Sequence, residues 1–187
     1  MVEITLIRHG RSEFELKGKA RSCDIEEIIR SYDLAGISDE PPMVAKEKAL
    51  TCHAVVCSDL NRSIESAKAL GFINIHVTDP LFREVATPHF KSGSYVMPVS
   101  AWGVLLRSLS VFGFSRNGES LSMAKQRAAA ATLQLIEIAH TYNSILLVGH
   151  AFINHFIAKE LLSRNWIGPS KPGRGYWEYG VYKYHAT

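Results

Sequence analysis

Three apolar runs, Val2 to Ile7, Ala54 to Ser58 and Ser144 to Gly149, each deliver the chain into a polar turn followed by a helix-like stretch. Short runs dense in β-formers and bounded by turn signals are the pattern of interior strands. Strands alternating with helices predict a three-layer α/β/α domain around a predominantly parallel sheet. In such sheets, groups that act on ligands gather beyond the carboxyl ends of the strands.

The segments between these runs fit that frame. Asp24 to Tyr32 predicts a short helix with Ile25, Ile28 and Ile29 as its buried stripe, and Pro41 and Pro42 suit the start of another through Ala45 and Ala49. Asp59 to Leu70 carries helical recurrence at Leu60, Ile64, Ala67 and Leu70 before Gly71 stops it. Phe72 to Val77 is expected as a further strand. Residues 85–117 are broken by Pro88, Gly93, Pro98, Gly103 and Gly113 and read as an insertion over the site, with a helix over Val99 to Leu109. Ser120 can cap a long helix from Leu121 to His140, in which Leu133, Ile136 and Ile138 supply the larger groups. A helix over Phe152 to Leu162, with Phe152, Phe156 and Ile157 on its apolar face, and an edge strand over Tyr176 to Tyr182 complete the expectation.

The sequence of 187 residues suits one domain, 1–187, with a single active site. Its 21 Lys and Arg against 18 Asp and Glu give a mild positive balance, compatible with small anionic substrates and too diffuse to predict nucleic-acid binding. Glu3 and Arg8 interrupt the first apolar run, so a standard secretion signal is not expected. No apolar stretch is long enough for a bilayer. Cys23, Cys52 and Cys57, odd in number and without metal-ligand spacing, lean toward reduced thiols and a cytoplasmic location.

The chemistry sits in the polar words that follow the strands. Arg8-His9-Gly10 places a planar cation, a nitrogen nucleophile and a permissive backbone position together; Ser58-Asp59-Leu60-Asn61-Arg62 follows the second run and Gly149-His150 the third. Brought to one edge, Arg8 and Arg62 share phosphoryl oxygens while His9 and His150 approach phosphorus from different directions. Separately, Arg62 also reads as the exposed first turn of a helix and His150 as a buried histidine satisfied by its own loop.

These words resemble those of the histidine phosphatase superfamily, also called phosphoglycerate mutase-like, over residues 2 to about 182. The resemblance implies transient phosphorylation of His9, phosphoryl binding by Arg8 and Arg62, and completion of the pocket by His150. It implies a proton-donor position at Glu84, for which surface charge on a mobile insertion is the other reading. Glu119 and Ser120, with Arg127 on the following helix, match a family pattern of pocket support and helix entry. Ser12 falls at a small hydroxyl position of the family, and Lys17 could contact phosphate or a second anion; Lys19 and Arg21 fit a hydrated basic loop better. The usual asparagine of the first loop is absent from Glu13 to Lys17, Ala151 replaces a frequent glycine, and His155, expected to be structural, replaces a basic arginine.

The implied reaction is hydrolysis of a small-molecule phosphate monoester with no metal and no cofactor, because arginines supply the charge and imidazole the nucleophile. Phosphoglycerate mutase-like transfer and a noncatalytic phosphate-binding regulator are the alternatives. Phe90, Tyr95, Met97, Trp102, Phe112 and Phe114 offer an apolar wall, with Lys91, Arg107 and Arg116 as anion contacts, although helix packing explains many of these aromatics at least as well. An aromatic or hydrophobic ester fits this composition better than a protein substrate, with small sugar phosphates and nucleotides as further alternatives. His53 and His89 have no ligand spacing, and a homodimer is compatible with the sequence.

Overall fold

The computed structural model describes residues 1–185. In chain order it contains β1 (Val2–Arg8), β2 (Lys19–Arg21), α1 (Ile25–Leu34), α2 (Met43–Leu50), β3 (Ala54–Cys57), α3 (Asn61–Ala69), β4 (Val77–Thr78), β5 (Val96–Pro98), α4 (Val99–Val111), α5 (Leu121–Tyr142), β6 (Ser144–Gly149), α6 (Ala151–Ser163) and β7 (Tyr179–Tyr184). The main sheet runs β4-β3-β6-β1-β7, parallel except for antiparallel β7 at one edge. This is the mostly parallel α/β architecture that the strand and helix alternation predicts.

Register explains why distant words meet. β6 lies between β1 and β3, with Arg8 opposite Gly149 and Cys57 opposite Val148. Residues 9, 58 and 150 therefore leave three neighbouring strands at one level. Alternate side chains divide the core: Ile4, Leu6, Val56, Ile145 and Leu147 face α5 and α6, while Ile7, Val55, Leu146 and Val148 pack with Ala45, Ala49, Ala67 and Leu70 of the α2 and α3 layer.

Ser120 Oγ accepts from Met123 N at 3.2 Å, which closes the entry to α5. Ala124, Ala128, Ala131 and Ala139 are fully buried and let α5 lie close to the sheet, but its large buried group is Leu135; Leu133 is half exposed. On α6 the buried stripe is Ile153, Ile157, Ala158 and Leu161, one position off the expected Phe152, which turns toward the cavity described below.

The expected strand Phe72 to Val77 shrinks to Val77–Thr78. Gly71, at φ +105°, ends α3 in a Schellman turn: Gly71 N donates to Lys68 O and Phe72 N to Ala67 O, so the start of the segment is committed to the helix end. β7 likewise begins at Tyr179, after Tyr176, because Trp177 takes a left-handed φ of 63° in the preceding turn. Sequence patterning also gave no sign of the small antiparallel pair β2-β5, which with Ile25, Val99, Trp102 and Leu106 builds a separate apolar cluster.

Candidate active site

His9 leaves the end of β1 with its backbone N–H bonded to Gly149 O at 3.0 Å. Gly10 follows in contact with Trp177: a β-carbon there would come within 2.3 Å of the indole and 2.7 Å of Asp39 Oδ1. The His9 ring is 2% exposed, and Nδ1 lies 2.6 Å from Gly10 O. Burial, then Arg62, lowers its pKa to about 3; the bond to Gly10 opposes this and Arg8 reinforces it. The imidazole is therefore neutral near pH 7, with its proton on Nδ1 directed at Gly10 O and the lone pair on Nε2.

The His150 ring centroid is 4.9 Å from that of His9. His150 is fully buried, its Nε2 is 2.7 Å from Ser58 Oγ, and Nδ1 has no hydrogen-bond partner among the described residues. Burial, followed by His9, Arg62 and Arg8, holds its pKa well below the ordinary value. It is thus a neutral ring near pH 7, not the imidazolium that charge stabilisation by a second histidine would call for.

Each arginine lies against a tyrosine. The Arg8 guanidinium carbon is 4.2 Å from the Tyr176 ring centroid and Nη1 donates to Arg174 O. Arg62, 1% exposed, lies 4.4 Å from the Tyr32 ring centroid, donating Nη1 to Tyr32 O at 2.9 Å and Nη2 to Asp33 Oδ1 at 3.2 Å. The Nε atoms of both arginines are buried without a partner among the described residues. Buried donors left unpaired are costly. Four such nitrogens, counting His150 Nδ1 and His89 Nε2, belong to residues lining one cavity of about 550 Å³.

Glu84 lines the same cavity and sits at the start of α6. Its Oε1 accepts from Val85 N at 3.0 Å and from Phe152 N and Ile153 N, each at 3.1 Å; Oε2 accepts only from Phe152 N, at 3.2 Å. The carboxylate thus occupies a helix N-terminus, with Oε2 the less committed oxygen. Arg127 braces its approach: the guanidinium forks onto Glu119 at 2.9 and 2.7 Å and donates to Leu81 O at 2.7 Å and Arg83 O at 2.8 Å. Arg83 in turn makes two 2.6 Å bonds to Asp59 and so joins this segment to the turn before α3.

Ser12 and Lys17 stand apart from this constellation. Ser12 Oγ accepts from Phe14 N at 3.2 Å and its backbone bridges to Ile37, so the hydroxyl closes its own turn. Lys17 pairs with Glu15 at 2.7 Å on the exposed surface. Neither lines the cavity. Sequence reading in turn missed Tyr32, Asp33, Tyr176 and Ser66, whose Oγ accepts from Gly10 N at 2.9 Å and donates to Arg62 O. Only Ser66 left a trace, one helical turn beyond Arg62.

Among the described residues no group of three or more His, Cys, Asp or Glu side chains has metal-binding geometry. Residues 43–172 match the model of the histidine phosphatase superfamily, branch 1. The chain belongs to this superfamily. The matched segment covers Arg62, Glu84 and His150 and begins after Arg8 and His9. No curated protein sequence matches significantly.

Solved structures share the fold of this superfamily member. The product of an open reading frame of Mycobacterium tuberculosis aligns at 16% identity over 98% of this chain and 92% of its own, with a TM-score of 0.66. A mycobacterial glucosyl-3-phosphoglycerate phosphatase complexed with VO3 aligns at 17% identity over 97% and 92%, with a TM-score of 0.61. A phosphoserine phosphatase of Entamoeba histolytica in complex with 3-phosphoglyceric acid aligns at 18% identity over 97% and 90%, with a TM-score of 0.62. At these identities the likeness is one of fold. No helix among the described residues is long and apolar enough to cross a membrane.

Proposed function

We propose that this histidine phosphatase superfamily member hydrolyses a small phosphate monoester through a phosphohistidine on His9, without a metal ion, the whole chain acting as one catalytic domain. The observation that carries the reading is the pairing of a neutral, carbonyl-anchored His9 with unpartnered nitrogens of Arg8, Arg62 and His150 around one cavity. An anionic phosphoryl group gives those donors the partners they lack.

In the first step the His9 Nε2 lone pair forms a bond to phosphorus as the ester P–O bond breaks. Glu84 enters this step as the acid, and its Oε2 proton passes to the departing alkoxide oxygen, leaving the carboxylate. In the second step the Glu84 carboxylate takes a proton from water, the water oxygen attacks phosphorus, and the N–P bond breaks to release phosphate. Arg8 and Arg62 hold the equatorial oxygens throughout, supplying the positive charge a metal would otherwise bring. His150 enters as a neutral donor: with the Ser58 hydroxyl donating to Nε2, the ring proton lies on Nδ1. The segment 85–117 covers the alcohol side.

The test is phosphate release from a panel of monoesters by chelator-treated protein, with His9→Ala and Glu84→Gln beside the wild type. Release by the wild type, and its fall by about a thousandfold or more in His9→Ala, is expected. A well-folded wild type that releases no phosphate, or a His9→Ala variant with undiminished turnover, overturns the reading. Retention of phosphorus on an isomerised product identifies a mutase instead.

A further inference from the structure

The cavity is bounded on its alcohol side by two helical stripes. α1 presents Ile25, Ile28, Ile29 and Tyr32, and α4 presents Val99, Trp102, Gly103, Leu106 and Arg107, both at the spacing of one helix face. Gly103 is the anomaly. It lies inside a helix of 13 residues, where glycine is the poorest ordinary helix former. Its φ is not among the positive values that demand glycine, and a β-carbon built on it meets nothing within 4 Å. Gly10 and Gly149, by contrast, would collide with Trp177 and Asn154 if given a side chain. Neither backbone geometry nor packing within the protein requires the glycine at 103; the residue is exposed, and it borders the open cavity on the face of α4 that lines it.

We propose that Gly103 is the specificity-determining position for the alcohol half of the substrate, and that this half is a bulky, ring-sized apolar group lying between the isoleucines of α1 and the Val99–Gly103–Leu106 stretch of α4. The proposal rests on the phosphatase reading and specifies its substrate class. Two of the neighbouring polar groups are already engaged: Trp102 Nε1 donates to Ala20 O at 2.9 Å, and Arg107 donates to Val85 O at 2.8 Å while stacking 4.7 Å from the Phe152 ring centroid. His89 Nε2 is the polar atom of this wall without a hydrogen-bond partner among the described residues. A cavity of about 550 Å³ with apolar walls and a cationic end has the form of a site for an amphiphilic monoester.

Leucine at 103 fills the space without weakening the helix, and alanine adds one methyl group and strengthens it. The experiment compares wild type, Gly103→Ala and Gly103→Leu on methyl phosphate and 1-naphthyl phosphate, each variant being scored against wild type on the same ester so that leaving-group reactivity cancels. Binding of methylphosphonate and naphthylmethylphosphonate, which have no ester bond to cleave, is measured in parallel by calorimetry. For Gly103→Leu, kcat/KM on the naphthyl ester and affinity for its phosphonate fall about tenfold or more, while the methyl compounds change by less than about twofold. Gly103→Ala falls in between, and neither variant melts below the wild type.

Equal wild-type affinity for the two phosphonates overturns the proposal, as does a folded Gly103→Leu that loses nothing on the naphthyl compounds or loses equally on both sizes. Failure of the wild type to release phosphate from any ester overturns the phosphatase reading instead. A size preference among the phosphonates that Gly103→Leu abolishes then still establishes the apolar subsite.

Discussion

Replacing His9 by asparagine tests the electrostatics of the pocket directly. The amide of asparagine can donate to Gly10 O as the ring Nδ1–H does, but it does not titrate. In the native protein burial, reinforced by Arg62 and Arg8, holds the histidine at about 3; in the unfolded chain it takes up a proton near its ordinary 6.5. Between these values the unfolded state binds more protons, so the wild type has full stability above pH 6.5 and loses it as pH falls toward about 3. The maximal slope is about 1.4 kcal/mol per pH unit, and from about pH 7.5 to about pH 4.5 this one group removes roughly 2.7 kcal/mol.

Urea unfolding at a series of pH values, followed through the fluorescence of the buried Trp102, Trp166 and Trp177, measures the loss. Groups common to both proteins cancel in the difference. For His150, burial, the first cause of its lowered pKa, is the same in both, and loss of the His9 contribution in the variant moves the difference in the same direction. The expected result is a stability difference that moves by roughly 2.7 kcal/mol in favour of His9→Asn between those two pH values. Parallel stability curves would refute the reasoning, since they would mean that the native His9 takes up its proton as readily as the unfolded one.

Arg127→Met strips Glu119, Leu81 O and Arg83 O of a shared partner; it is expected to lower stability by about 2 to 4 kcal/mol in urea unfolding. Because the same guanidinium fixes the segment leading to Glu84, steady-state kinetics should show kcat falling more than KM rises, and Arg127→Met/Glu119→Gln should recover stability without recovering kcat. Ser58→Ala removes the hydroxyl on His150 Nε2; a stability loss of about 1 kcal/mol and a drop in kcat/KM of about tenfold are expected, measured by thermal melting and phosphate release.

The parallel sheet and the meeting of Arg8, His9, Arg62 and His150 were legible because strand-terminal polar words are written locally and the sheet aligns strand ends. What stayed hidden depends on contacts between distant segments. Tyr176 reads as an aromatic near a sheet edge until Trp177 turns the chain and lays the tyrosine against Arg8; Tyr32 reads as the end of an amphipathic helix until α1 meets α3. Ser12 and Lys17 lie outside the cavity for the opposite reason. Their closeness in sequence to His9 suggested closeness in space, whereas a local turn and a surface ion pair satisfy them. The short β4 shows the same limit: the apolar pattern of Phe72 to Val77 is strand-like, but the Schellman turn on Gly71 takes up its first backbone donor.

The partners of the two arginines bear on both halves of the proposed reaction. Arg8 is held by a carbonyl and an aromatic face, and Arg62 by a carbonyl, an aromatic face and the half-exposed Asp33. Neutral partners orient a guanidinium without cancelling its charge, so most of the positive potential is available to a phosphoryl group. That potential also disfavours protonation of His9 and keeps its lone pair ready before substrate arrives. When a phosphoryl group binds, its negative charge offsets the arginines, which would let the histidine protonate if they alone held it neutral. Burial is the larger cause, however. On the proposed mechanism His9 therefore stays neutral as a phosphoryl group approaches, because burial persists as the cations are neutralised.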